Sequence, residues 1–363
     1  MGDVRSEERA ALADGVRRVL ADHGGAAYAR ARSEDPARGS DPAWESLAVL
    51  GVTGLLAPGS EVGMVEAGAV AEELGRVASP LPWISTAITA VSALALGGDP
   101  DGLLARLADG GSIGTLALLE PGSRYRWRSP STAAVGGRLS GTKVHVPALL
   151  AADVVLVTAR DDDGLGLWAV DRPTDVRPGA GLDGSRPTGT LVLHATPGRR
   201  LPLRGDHTAL VAQVLDRTVA ALVADGVGAA GRAFELSLEH ARTRHQFGRP
   251  VGSFQAVQHL CVDAFESLVL ARTASAHALR CLDEEDPTEA HRAVVMAKAC
   301  ASAALPRVGS AAVAVFAGIG FTWEHDVGLL YKRLLSLATL HGGESEQLAE
   351  LGALVLGPTL TPA

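Results

Sequence analysis

Aromatic residues are scarce, at 4% of the chain, and only three cysteines occur. With so few rings, the core has to be built from alanine, leucine and valine, which leans toward helix. Cys261, Cys281 and Cys300 lack C-x-x-C spacing and fall in helical stretches, so they read as buried packing thiols. Positive charge is also short: 33 Lys and Arg stand against 41 Asp and Glu, a net charge of −8. No basic stripe offsets that balance, which argues against a general nucleic-acid binder. No run approaches the ~20 apolar residues of a membrane span. Met1 to His23 is charged throughout and lacks the apolar centre of a signal peptide. These absences predict a cytoplasmic protein. Internal repeats and low-complexity tracts are missing as well, and Asp161-Asp162-Asp163 reads as a solvated turn before it reads as a metal site.

What is present is globular composition: 363 residues, 47% hydrophobic and 20% charged, enough for two or three packed units. Up to about residue 110 the pattern is helical. Val4 to His23 carries apolar residues at helical spacing, Asp41-Pro42 opens a second helix, and Val65 to Leu74 makes another. Trp83 to Leu96 is apolar on nearly all sides and therefore expected to be buried. From Ser112 to Leu203 the texture changes to short β-type runs: Gly114–Leu119, Ala133–Val135, Lys143–Val146, Val154–Thr158, Leu167–Val170 and Thr190–His194. From Asp206 the chain is helical again. Thr208 to Phe247 has no proline, and its Gly226, Gly228 and Gly231 mark close helix packing. One apolar stripe runs from Phe254 through Phe265 to Leu279, with Ser275 and Ala276 on it. Thr288 to Phe316 is expected to bend at Pro306, and Val327–Leu340 and Glu344–Leu356 complete a bundle.

Three strings narrow the function. Arg242-Thr243-Arg244-His245-Gln246-Phe247-Gly248 followed by Phe254-Gln255-Ala256-Val257-Gln258-His259 closely resembles the R-x-Q-F-G … F-Q-x-x-x-H signature of acyl-CoA dehydrogenases. Gly318-Ile319-Gly320-Phe321-Thr322-Trp323-Glu324 looks like that family's G-x-G-[FY]-T-x-E stretch. Leu118-Leu119-Glu120-Pro121-Gly122, Gly141-Thr142-Lys143 and Ala152-Asp153 are similar to its middle-domain run. The resemblance covers essentially the whole chain. It implies an α+β multi-domain fold: an N-terminal helical domain (1–111), a middle β barrel or sandwich (112–205) and a C-terminal four-helix bundle (206–363). It also implies FAD, lying between β domain and bundle with its ADP end reaching a neighbouring subunit. Arg244 would hold the diphosphate, which suits a guanidinium. Gln246, Phe247 and Gln255 would line the same channel, with Leu119, His145, Val146, Pro147 and Gly318 as further cofactor contacts. Glu324 and Asp326 read as acidic residues at a helix N-terminus.

Members of this family oxidise an acyl-CoA thioester across Cα–Cβ. A glutamate takes the α-proton while the flavin accepts hydride, and that glutamate needs a dry pocket to raise its basicity. Both of the family's positions for the glutamate depart from the pattern here. Near the C-terminus the string is Leu340-His341-Gly342-Gly343-Glu344, with Gly342 at the base position. In the first bundle helix, counting back from Phe247 gives Thr218, with Val219 where an arginine stands in the family. Asp216 could substitute only if two residues were inserted before Gly228, and otherwise falls on a solvated outer face. A proline at position 147 offers neither hydroxyl nor N–H toward the flavin. The residues after Glu-Pro-Gly are Ser123-Arg124-Tyr125-Arg126-Trp127-Arg128, the glutamine before the G-x-G string is Ala314, and the usual His-Gly is Phe316-Ala317.

Two readings follow. In the first this chain is the base-lacking half of a heterotetramer with a glutamate-bearing homologue, resembling the two-chain enzymes that act on sterol side chains. In the second it is a self-sufficient acyl-CoA dehydrogenase, a homotetramer with Asp216 as an atypical base. A flavin monooxygenase on the same fold is a weaker third.

Overall fold

The computed structural model describes residues 2–34, 41–99, 101–122, 127–203, 205–284, 286–322 and 325–357. Its first segment is helical: α1 (Gly2–Asp22), α2 (Gly25–Glu34), α3 (Pro42–Val49) and α4 (Met64–Arg76). Asp41 starts α3 as an N-cap, accepting the Ala43 N–H at 3.0 Å, and Pro42 occupies the first turn, where no N–H is needed. The apolar stretch foreseen around Trp83 is a π-wound turn, Ile84–Ala90, continuing as α5 (Val91–Gly97), then α6 (Leu103–Ala108). Ser85 through Leu94 are all buried, as the lack of a polar face requires.

One eight-stranded sheet follows: β1 (Gly114–Ala117), β2 (Ala133–Val135), β3 (Arg138–Pro147), β4 (Val154–Asp161), β5 (Gly164–Asp171), β6 (Val176–Pro178), β7 (Thr188–Pro197) and β8 (Arg199–Arg200). The order is β6-β7-β3-β2-β4-β5-β8, with β1 parallel to β4. β4 shows why it is apolar throughout. Val154 and Leu156 face the helices, while Val155, Val157 and Ala159 face the sheet's own core with Leu139, Leu191 and Leu193. The six expected strands are all present. β6 and β8 went unseen because three and two residues, among them Arg and Pro, carry no alternation. Asp161 and Asp163 sit at the β4–β5 hairpin, where Asp161 pairs with Arg200 at 2.7 Å.

The Glu-Pro-Gly and Gly-x-Lys strings meet inside this sheet. Glu120 accepts from Lys143 Nζ at 2.8 Å and from the N–H and hydroxyl groups of Ser131 and Thr132. Burial pushes its carboxyl up, but those donors outweigh it and hold it down at about 2. Positions 123–126 of the departing string lie outside the described residues.

The bundle comprises α7 (His207–Thr243), α8 (Gln255–Asp283), α9 (Pro287–Phe316), α10 (Asp326–Thr339) and α11 (Glu344–Leu356). Phe247 is not on α7 as expected: the helix ends at Thr243 and the chain turns into a ribbon, β9 (His245–Gln246) and β10 (Arg249–Pro250). Gly228 does mark a close crossing. A Cβ there would lie 1.9 Å from Glu72 O on α4, and one on Gly75 would lie 1.9 Å from Asp225 O on α7. The α8 stripe splits: Ala264, Leu268, Ser275 and Leu279 are buried, whereas Phe265 and Ala276 face outward. α9 runs through Pro306. It is long and apolar enough to cross a membrane by length and composition, which the search for ~20-residue apolar runs overlooked, but half of that window is buried inside the bundle. The three cysteines are free, Cys281 buried and the other two half-buried.

Candidate functional site

An apolar cavity of about 150 Å³, partly open to solvent, forms where the π-wound turn, the ends of β1 and β3, α7 and α10 meet. Leu119, His145, Pro147 and Thr218 all line it. A register shift in the β3–β7 ladder between Lys143 and Val146 re-aims His145, whose φ is +53. Val146 faces the other way, into the sheet core, so its side chain does not reach the cavity. Pro147 keeps its carbonyl on Thr115 Oγ1, at 2.6 Å.

Thr218 is buried and already satisfied. Its hydroxyl donates to Val214 O at 2.8 Å and lies 2.9 Å from Thr89 Oγ1. Gly342 and Asp216 are not in this cavity. They line a second one, of about 190 Å³, which shares Leu118, Leu215 and His341 with the first as a common wall. Gly342 adopts φ +95, and a Cβ there would stand 2.7 Å from Gln347 Nε2. That amide donates to His341 O at 2.9 Å, so any side chain at 342 has to displace it.

Asp216 is not the solvated residue expected. Its carboxylate holds His291 Nδ1 at 2.8 Å, while Glu350 holds Nε2 at 3.2 Å. Hydrogen bonds to Asp216 and then Glu350 push His291 up to about 10, against burial. The imidazole is therefore a cation at neutral pH, and Asp216 is its counter-ion.

Two groups, one in the dividing wall and one behind it, escaped sequence reasoning. His341, at φ +58, is pushed down to about 4 by burial and by the nearby cations Lys298 and Arg186, so it is neutral. It was visible in the Leu340-His341-Gly342 string but was read only as a neighbour of the glycine. Lys298 is buried on α9 and donates to Ser302 Oγ at 2.7 Å, Leu337 O at 2.9 Å and Gly342 O at 3.0 Å. It thereby holds the loop carrying His341, and burial pushes it down to about 8.

Arg244, Gln246, Phe247 and Gln255 gather elsewhere, exposed on the ribbon and the start of α8. Phe247 is 92% exposed at φ +53, its ring edge-on to Phe254 at 6.1 Å, and Arg249 stacks over Phe254 at 4.1 Å. Phe316 packs on His240 at 4.3 Å, one turn before Arg244, which brings the exposed Gly318 turn to the same end of the bundle. Ala317, standing for the family's glycine, keeps φ +53. Asp326 opens α10 and pairs with Arg30 at 2.5 Å, while Glu324 lies outside the described residues.

Comparison with known proteins matches this architecture throughout. Residues 6–102 fit the acyl-CoA dehydrogenase N-terminal domain and residues 208–356 the acyl-CoA dehydrogenase C-terminal domain. Acyl-CoA dehydrogenase IpdE2 of Mycolicibacterium smegmatis is 31% identical over 360 residues, covering 96% of this chain and 99% of that protein. Among solved structures, the Tcur3481-Tcur3483 steroid ACAD G363A variant superposes with a TM-score of 0.87 at 28% identity, covering 98% of this chain and 99% of that one. The ChsE4-ChsE5 complex from Mycobacterium tuberculosis superposes at 0.86 and 26%, covering 98% of each. The chain belongs to the acyl-CoA dehydrogenase family.

Proposed function

We propose that this chain is the base-lacking subunit of a heteromeric, FAD-dependent acyl-CoA dehydrogenase. The observation that carries the reading is the state of its proton-acceptor positions. Thr218 cannot ionise usefully at neutral pH and is hydrogen-bonded, Gly342 has no side chain, and Asp216 is the counter-ion of His291. The ChsE4-ChsE5 complex, a relative built from two chains, supports a partner subunit. We take the acyl group to be bulky, in keeping with the steroid ACAD among its relatives.

The residues present fit a flavin. A planar tricyclic ring needs an apolar slot with a few polar groups, and the main cavity offers both: leucine walls, with His145 and Ser336 among the lining residues. Leu119, His145 and Pro147 would flank the ring, and Arg244, Gln246, Phe247 and Gln255 would meet the ADP portion of a flavin shared with the partner. When bound, the flavin supplies the hydride acceptor. The chain's own contribution is to exclude water with Leu118, Leu119 and Leu215, and to fix the neutral His341 in the wall through Lys298. We assign the three domains to 1–111, 112–205 and 206–363, the assembly to a tetramer and the location to the cytoplasm.

General-base catalysis is worth about 10²–10⁴-fold, so the lone chain should be nearly inactive. The test is bleaching of the flavin's visible band under aliphatic and steroid-like acyl-CoAs, for the chain alone and co-expressed with a glutamate-bearing homologue. Activity only in the mixture, with about one flavin per pair of chains, is expected. Rapid bleaching by the lone chain would overturn the partner reading, and Asp216→Asn and His341→Ala would then identify the base.

A further inference from the structure

The last helix, α11, is attached to the bundle differently from the helix before it. α10 buries Val327, Leu329, Leu330, Arg333, Leu334 and Leu337, whereas Gln347 is the single buried residue among the 13 of α11. No α11 side chain belongs to any of the three apolar cores. A helix with so little apolar burial depends on its polar ties, and elements of that kind are the first to open locally.

Two such ties are present, and both belong to the lining of the second cavity. Gln347 Nε2 donates to His341 O at 2.9 Å, and Glu350 holds His291 Nε2 at 3.2 Å. His291 stands on α9 and keeps its other ring nitrogen on Asp216 of α7, so its charge makes the Glu350 contact an ion pair between α9 and α11. The Glu350 side chain is 42% exposed and that of Asp216 14%, so these contacts run from the surface inward. Just before α11 the backbone turns sharply, with His341 at φ +58 and Gly342 at φ +95. A reversal confined to two residues is the form a hinge takes.

We propose that α11 is a lid over the second cavity, hinged at His341–Gly342 and latched by Glu350 on His291. When the latch parts, the helix swings away, and the cavity with its Gly342 turn opens to solvent from the bundle side. The more exposed lining residues are charged, Arg128, Glu346 and Glu350, while the buried ones include Trp127, Val294 and Val295. Such an opening suits an elongated molecule with one polar and one apolar stretch. On the function proposed above, that molecule is the acyl thioester.

The experiment uses the full chain as purified and compares wild type with Glu350→Gln, which frees α11 while leaving the Asp216–His291 pair in place. Glu235→Gln, which breaks the Arg76 pair between α4 and α7, is the control for losing an ion pair between helices elsewhere. The readouts are amide hydrogen exchange resolved by helix, acrylamide quenching of the buried Trp127 with Trp127→Phe as the blank, and the association rate of a steroid-like acyl-CoA. In Glu350→Gln the α11 amides should exchange about threefold or more faster. Trp127 should be quenched more strongly and the acyl-CoA should bind faster, with α9 and α10 as protected as in wild type. Glu235→Gln should leave α11 unchanged. Wild-type exchange of α11, or wild-type quenching of Trp127, in Glu350→Gln would overturn the lid. Faster exchange of α9 and α10 alongside α11 would overturn it too, since that marks a loosened bundle and not an opening helix. An acyl-CoA that binds at the wild-type rate although α11 has opened would also count against it. If no acyl-CoA binds at all, the proposed function falls, and exchange and quenching alone decide the lid.

Discussion

Two buried ionic groups illustrate how a titratable residue is read from its partners. Lys143 and Glu120 are both inside the sheet, so removing one leaves the other charged and unpaired. Lys143→Met should cost about 3–5 kcal/mol in urea denaturation. Because the Glu120 carboxyl is held at about 2, below its ordinary value of 4.5, its contribution is present above pH ~4.5 and fades as pH falls toward 2. Acid titration of Lys143→Met should lack that component. His291 has the opposite sign. Raised from 6.5 to about 10, it contributes fully below pH ~6.5 and its contribution is lost as pH rises through 10. Asp216→Asn should bring the imidazole titration down toward its ordinary range, as ring-proton NMR would report. A His291 still charged at pH 9 in that variant would refute the pairing.

Helix crossing sets the next level. α4 and α7 touch backbone to backbone at Gly75 and Gly228, where a methyl group would meet a carbonyl oxygen instead of a flexible side chain. Gly228→Ala should therefore destabilise by about 3 kcal/mol or more, the upper end for overpacking. Gly352, inside α11 with nothing within 4 Å of its Cβ position, is the control: Gly352→Ala should stabilise by about 0.5–1 kcal/mol. Thermal melts of the two variants moving in the same direction would contradict the packing account. The sequence marked Gly228 as a close approach but could not say to what, since α4 lies some 150 positions earlier.

Across the whole molecule, the proposed flavin contacts fall at two separate places. Leu119, His145 and Pro147 line the internal cavity, and Arg244 with its neighbours is exposed at one end of the bundle. An exposed phenylalanine and guanidinium built on a tight ribbon suit a ligand shared with another subunit. Arg244→Ala should weaken FAD binding roughly 10- to 150-fold, the loss of a charge-assisted bidentate contact. Melting of the flavin-free protein should be unchanged. Undiminished FAD binding would place the ADP portion elsewhere and remove the support for Gln246 and Gln255.

Local pattern sufficed for the helix–sheet–helix order, six of the eight strands, the Asp41 cap and the family signature, because each is written within ten or so consecutive residues. That Gly342 and Thr218 stand where the resemblance expects a glutamate is likewise a reading of residue identity alone. The rest depended on residues distant in the chain. Asp216 looked solvated until α9 and α11 brought His291 and Glu350 to it, and His341 looked incidental until two cavities met at its ring. Arg333 was one arginine among many until Asp183, Arg186 and Asp225 closed around it. Charge state, burial and shared walls are properties of neighbours in space, and only the folded chain decides who those neighbours are.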